Sequence, residues 1–409
     1  MVDDRSRNPK SNEPATGSRL ESPLAVEPNG ETSDAFVGPR DRFQNFLANL
    51  DWNVIGMILV IKVLLFLFAA YSFPILEDKN VGGFAGIFQI WNRWDSLNYL
   101  RLAQNGYSNG DARWLMVFYP LYPWLTRLLT VFTGNYLVSA IFISTLASIG
   151  AGLLLKKLVL LDHSEETARR AVWFFFIFPT SYFLHIGYTE SLFLVLALGS
   201  FLCARKRRWW LAGLLGALAC MTRGTGLVLL PALTFEAYEE LRITHRWNWR
   251  WLWIPMALLG FGCYLSINHH VAGNAFAFIS IRSQYFYISS SWPWVGILDV
   301  LRAFNRTPME TELLGRQELL FIALGAVCAF ASFALLRTSY AIWVAGNWLL
   351  VTSVTFVASV PRYTLVMFPI FILFAKLAKR PPWKVIITVW SLLNLGLFVT
   401  QFVRGRWAF

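Results

Sequence analysis

The sequence predicts an all-α polytopic membrane protein of about eleven spans, and three observations carry that expectation. Apolar runs of about 16–22 residues recur through most of the chain, near the length a helix needs to cross a bilayer. Charged residues make up 15% of the 409 positions against 56% hydrophobic, well below the roughly 25% charged residues of soluble domains. The Lys and Arg residues behind the formal charge of +12 cluster at the ends of apolar runs, as orientation signals do, which argues against nucleic acid as a partner. Helix is the default spanning element because lipid offers the backbone no hydrogen-bond partner.

Taken in order, residues 1–45 are polar and rich in Pro, Ser, Asn and Glu. Such a composition buries too little apolar surface to fold, so a disordered cytoplasmic tail is expected. Residues 46–409 then form one transmembrane domain. The tail has no apolar core of the signal-peptide kind, so 54–75 is expected as an uncleaved first span. Residues 77–135 are expected as a long first outer loop. Trp114 to Phe132 is apolar, but Pro120, Pro123 and Arg127 interrupt it, and counting it as a span would throw Lys156-Lys157 outside. It reads instead as an amphipathic helix along the outer interface, its Trp and Tyr residues at headgroup depth.

Further spans are expected at 136–155, 171–186, 189–204, 209–222, 225–238, 251–271, 318–336, 340–359, 363–377 and 383–403, with a second outer loop over 272–317. Lys156-Lys157 with Arg169-Arg170, Arg205 to Arg208, Arg242 to Arg250, Arg337, and Lys376 to Lys384 then share one side, which the positive-inside rule makes cytoplasmic. Several spans are short, with polar residues in their outer turns; short helices are tolerated where they line a protein-enclosed cavity. Cys203, Cys220, Cys263 and Cys328 lie within apolar segments without metal-ligand spacing and read as small buried hydrophobes.

With this orientation the polar exceptions gather on the outer face. Arg93, Asp95 and Tyr99 lie in the first loop, His185, Tyr188 and Glu190 in the turn Leu184 to Ser191, and Arg223 in Met221-Thr222-Arg223-Gly224. Arg282 lies in the second loop, and Arg362-Tyr363 between the ninth and tenth spans. Charges at membrane depth are costly and by default mark function. Each also has a plainer role: Asp95 as a helix cap or a partner of Arg93 or Arg101, Glu190 as a tie between spans, His185 as packing, Arg223 as a loop residue, Arg362 as an interfacial anchor.

A carboxylate among arginines suits a lipid-linked phosphosugar. Arginine binds phosphate bidentately and keeps its charge, and positive charge stabilises the phosphate as it leaves. A carboxylate opposite can take the proton of an attacking hydroxyl. Asp95 is the expected base of a single inverting displacement, and the other residues are expected to bind substrate. A divalent cation shared by Asp95 and Glu190 is left open.

The same residues form blocks. Trp94-Asp95-Ser96 with Tyr99, running to Ala103-Gln104-Asn105-Gly106-Tyr107, resembles the first-loop motif of the PIG-V-type mannosyltransferases. So do Phe118-Tyr119-Pro120-Leu121-Tyr122-Pro123, Phe178-Pro179-Thr180-Ser181-Tyr182, Tyr188-Thr189-Glu190-Ser191-Leu192-Phe193, Arg223-Gly224-Thr225-Gly226, and Pro361-Arg362-Tyr363 with Phe368-Pro369. The resemblance covers about 50–405. It implies a GT-C-like bundle and transfer of mannose from dolichyl- or polyprenyl-phosphate mannose to a lipid or glycan acceptor. The family's eukaryotic members add the second mannose of the glycosylphosphatidylinositol (GPI) precursor. The compact chain and short outer loops differ from a eukaryotic enzyme of this kind and fit a prokaryotic plasma-membrane relative, with the endoplasmic reticulum membrane expected if it is eukaryotic. Two other readings compete: a carrier-lipid flippase and a non-catalytic subunit of a glycosylation complex. No half-to-half repeat of the transporter kind is visible.

Overall fold

The computed structural model describes residues 50–303 and 316–407. The expected tail 1–45 and part of the second outer loop lie outside the described residues. Within them the chain is α-helical, with no β-strand beyond an isolated bridge between Ser290 and Val354. The helices are α1 (Trp52–Glu77), α2 (Gly83–Gln89), α3 (Asp95–Asn105), α4 (Leu121–Thr133), α5 (Tyr136–Val159), α6 (Glu165–Ile177), α7 (Glu190–Arg205), α8 (Trp209–Thr222) and α9 (Leu229–Thr244). They continue with α10 (Ala257–Ala272), α11 (Ala277–Phe286), α12 (Pro293–Ala303), α13 (Arg316–Leu335), α14 (Thr338–Thr352), α15 (Val360–Leu365), α16 (Pro369–Leu377) and α17 (Pro381–Val403).

Local chemistry sets the starts. Asp51 accepts from the Val54 amide at 3.1 Å to open α1. Asn135 accepts from Leu137 and Val138 at 2.9 and 3.1 Å to open α5. These are side-chain caps for amides that have no partner within the helix. Five helical stretches are long and apolar enough to cross a membrane: Trp52–Glu77, Tyr136–Val159, Trp249–Ala272, Gln317–Leu335 and Pro381–Val403. The chain is a multi-pass helical membrane protein.

The other six expected spans are shorter or broken. The 171–186 segment is not one helix: α6 stops at Ile177, and Pro179 lacks the amide that would continue the ladder. A buried stretch with one 3-10 turn, Ser181–Leu184, then leads to α7. The 225–238 segment begins as a 3-10 turn, Gly224–Val228, before α9. The 340–359 helix ends at Thr352. The 363–377 segment divides into α15 and α16, the second opening on Pro369. Trp114 to Phe132 is likewise two pieces, a 3-10 turn at Arg113–Val117 and α4, separated by Pro120.

Broken backbone inside a bundle needs partners. Lys62, in mid-α1, donates to Thr145 and to the His185 carbonyl at 3.0 Å. Ser144 donates to the Tyr188 carbonyl at 3.2 Å. Close approach is also required. A Cβ on Gly187 would meet Ser96 Oγ at 3.0 Å, and one on Gly224 would meet Tyr119 Oη at 2.5 Å. Each glycine lets one site-bearing segment lie against another.

Several residues read from the sequence as orientation signals are ion-paired. Arg205 grips Asp162 with two nitrogens at 2.7 and 2.8 Å. Arg337 does the same to Glu236 at 3.0 and 3.1 Å, and Ser339 donates to that carboxylate as well. The side chain of Glu236 is only 4% exposed. Breaking a buried pair by removing one partner costs on the order of 3 kcal/mol. Glu236→Ala is therefore expected to lower the melting temperature in detergent by several degrees, and an unshifted melt would remove Glu236 from the fold's stability.

Candidate active site

Four charged residues from four separate segments meet in one chain of contacts. Asp95 opens α3, Glu190 opens α7, Arg223 closes α8 and Arg362 sits in α15. Arg362 Nη1 lies 2.5 Å from Asp95 Oδ2, and its Nε donates to Glu190 Oε1. Arg223 Nη1 donates to the same Glu190 oxygen and, at 3.0 Å, to Thr189 Oγ1. The order is thus Asp95, Arg362, Glu190, Arg223, with two negative and two positive charges.

Burial is deepest at Glu190 and least at Asp95. Glu190 is fully enclosed, the side chains of Arg362 and Arg223 are 5% and 9% exposed, and that of Asp95 is 30% exposed. Aromatic faces wall the guanidiniums. Arg362 lies 4.6 Å from the Tyr188 ring centre and 5.0 Å from Phe183; Arg223 lies 5.1 Å from Tyr363. Such stacking supports a cation in place of water. The Tyr99 hydroxyl is 3.4 Å from Thr189 Oγ1. Burial first, then the negative charge of Asp95, holds the Tyr99 phenol well above its ordinary pKa, so it remains a neutral hydroxyl.

The backbone at Asp95 is unusual. Trp94 has φ of +52°, a region that bulky L-residues rarely occupy and that costs of order 1–3 kcal/mol unless the surroundings hold it. That turn starts α3 abruptly and leaves Asp95 in its first turn.

Of the expected site residues, Asp95, Glu190, Arg223 and Arg362 come together, and Tyr99, Tyr188 and Tyr363 line them. The other three lie apart. Arg93 turns away and donates from Nε to the Val403 carbonyl at 3.2 Å, while its own carbonyl accepts from Tyr188 Oη at 3.0 Å. His185 is fully buried beside Phe176, 5.7 Å between ring centres, and neither ring nitrogen has a partner among the described residues. It packs rather than joining the charges. Arg282 is exposed on α11, and its charge acts on Tyr119 and Tyr264, which stack at 4.0 Å. No contact joins its side chain to the four charges among the described residues.

Residues not singled out from the sequence also matter. Thr189 bridges Arg223 and Tyr99. Lys62 supports the broken segment ahead of Glu190, and Glu318 meets the turn ahead of Arg362. Lys62 and Glu318 had a signal, each being a charge inside or at the edge of an apolar run. No group of three His, Cys, Asp or Glu side chains that could hold a metal occurs among the described residues. The Arg362 guanidinium already stands between Asp95 and Glu190, so a divalent cation shared by these two carboxylates does not fit this arrangement.

Residues 69–248 match the family model described as Mannosyltransferase (PIG-V). Over that stretch, less than half of its length, the chain is similar to the PIG-V mannosyltransferases. It is 33% identical over 164 residues to GPI alpha-1,6-mannosyltransferase 2 of Mus musculus, a match covering 37% of this chain and 32% of that protein. It is 26% identical over 176 residues to GPI mannosyltransferase 2 of Schizosaccharomyces pombe, covering 41% and 36%. The chain thus matches about a third of the length of these curated relatives. The PIG-V stretch contains Asp95, Glu190 and Arg223, while Arg282 and Arg362 lie beyond it. The crystal structure of the Archaeoglobus fulgidus oligosaccharyltransferase in the apo form aligns over 86% of this chain and 56% of that one, with 13% identity and a TM-score of 0.41.

Proposed function

We propose that this chain is a GT-C-type glycosyltransferase that moves a hexose, mannose by its PIG-V kinship, from a polyprenyl- or dolichyl-phosphate carrier to a lipid or glycan acceptor. The observation that carries the proposal is the chain of four charges, with its one partly exposed carboxylate, Asp95, at one end.

Asp95 has one arginine partner and reaches the open space, so it takes the proton of the acceptor hydroxyl as that oxygen attacks the anomeric carbon. The new bond forms between acceptor oxygen and anomeric carbon while the bond from that carbon to the carrier phosphate breaks. The result is inversion, and the electron pair leaves with the phosphate. Glu190 is enclosed and held by two arginines, so it anchors charge rather than accepting a proton. Arg362 and Arg223 supply positive charge toward the departing phosphate. The positive-inside reading places this end on the non-cytoplasmic face.

The test is a transfer assay with reconstituted protein, polyprenyl-phosphate mannose of known anomeric configuration, and membrane lipid or glycan extract as acceptor. Expected products are sugar-free carrier phosphate and a mannosylated acceptor of inverted configuration. Recovery of intact sugar-carrier on the opposite leaflet would favour a flippase and overturn the proposal.

A further inference from the structure

Ser359, which precedes α15, shares the backbone strain of Trp94, with φ of +64°. Both segments that bring Asp95 and Arg362 together therefore begin on a non-glycine residue in the left-handed region. Such a conformation persists only where the surroundings over-determine it. At Ser359 the surroundings include Glu318, on α13. One carboxyl oxygen accepts from the Ser359 amide at 2.9 Å and the other from the Val360 amide at 2.8 Å. The next residue, Pro361, has no amide to satisfy, and its carbonyl accepts from Thr180 Oγ1 at 2.9 Å. Arg362 follows directly.

Glu318 is fully buried, near the start of an apolar helix where a carboxyl group is costly. Both its oxygens are spent on two consecutive amides of a turn in another element. We infer that Glu318 is a positioning residue for Arg362: it fixes the Ser359–Val360 turn, and the turn aims the guanidinium between Asp95 and Glu190. The inference rests on the transferase reading of the Asp95 cluster. Glu318 acts through the backbone, so its loss should change how Arg362 is presented rather than how substrate is gathered. A misplacement of about 1 Å at a reacting group can cost on the order of a hundredfold in rate.

The test compares Glu318→Gln with wild type, alone and in an Arg362→Lys background, measuring kcat and donor KM for mannosyl transfer. Glutamine keeps the shape, but its amide nitrogen faces one of the two backbone amides, donor against donor. The expected result is a kcat lower by about ten- to a hundredfold with little change in KM, and almost no further loss when Arg362 is already lysine. An unchanged kcat overturns the inference, and so does an equal loss in both backgrounds, which would make Glu318 a general structural group. Hydrogen exchange of the 356–368 segment, in Glu318→Gln and in the apolar Glu318→Met, is read alongside. Exchange should quicken at Ser359 and Val360 and stay unchanged in α5 and α7; unaltered exchange also overturns the inference. If wild type transfers no mannose, the transferase reading fails by itself, and the exchange measurement decides whether Glu318 holds the turn.

Discussion

Asp95→Asn is expected to lower kcat for mannosyl transfer by about a thousandfold, in the middle of the range that general-base catalysis supplies, while donor KM changes little. The reason is chemical rather than architectural. Asparagine has nearly the same shape, and its side-chain oxygen still accepts from Arg362 Nη1, which now lies 2.5 Å from Asp95 Oδ2. What it lacks is the ability to take a proton. If Asp95 served only as an ion-pair partner for Arg362, the asparagine variant would show a lower melting temperature with near wild-type turnover. That outcome would remove Asp95 from the mechanism. Asp95→Glu makes a second comparison: the carboxylate is retained but displaced by one methylene, so turnover should fall between wild type and Asp95→Asn. A non-catalytic subunit would show neither rate effect, and its Asp95 variants would differ only in assembly.

The four charges that meet here are spread from position 95 to position 362, yet each was legible in the sequence for the same reason. A charged side chain beside an apolar run is expensive, and for that reason it stands out. Sequence could not say which of the outer arginines reach the carboxylates. Arg93 is two residues from Asp95 and looks like its natural partner. The left-handed turn at Trp94 instead sends it to the Val403 carbonyl, and the partner of Asp95 is Arg362, 267 residues away. The helix breaks were hidden for a different reason. Hydropathy averaged over 171–186 or 363–377 does not register that one proline removes one amide, although Pro179 and Pro369 were both in view. Lys62 has apolar neighbours throughout 54–75, and that isolation is what marks it. The broken segment ahead of Glu190 needs a donor inside the bundle, and a half-buried lysine can serve as one.

Glu190→Gln should be the most disruptive single change at the site, because the Glu190 carboxylate balances two buried guanidiniums. Removing its charge leaves Arg223 and Arg362 with only Asp95 to offset them, and an uncompensated buried charge costs about 3–5 kcal/mol. That is a large part of the roughly 5–15 kcal/mol by which a folded domain is stable. The variant should express poorly, melt well below wild type in detergent, and transfer no measurable mannose. Charge balance and simple packing predict different behaviour for a second change. Glu190→Gln combined with Arg223→Met restores neutrality, leaving the single pair Asp95–Arg362, while adding a further substitution to the core. If balance is what matters, the double variant should melt above Glu190→Gln alone even though it carries more mutations. Its activity should stay low under the proposed mechanism, in which Arg223 faces the phosphate. If packing is what matters, the double variant should be the less stable of the two, and the account of Glu190 as the charge anchor would have to be abandoned.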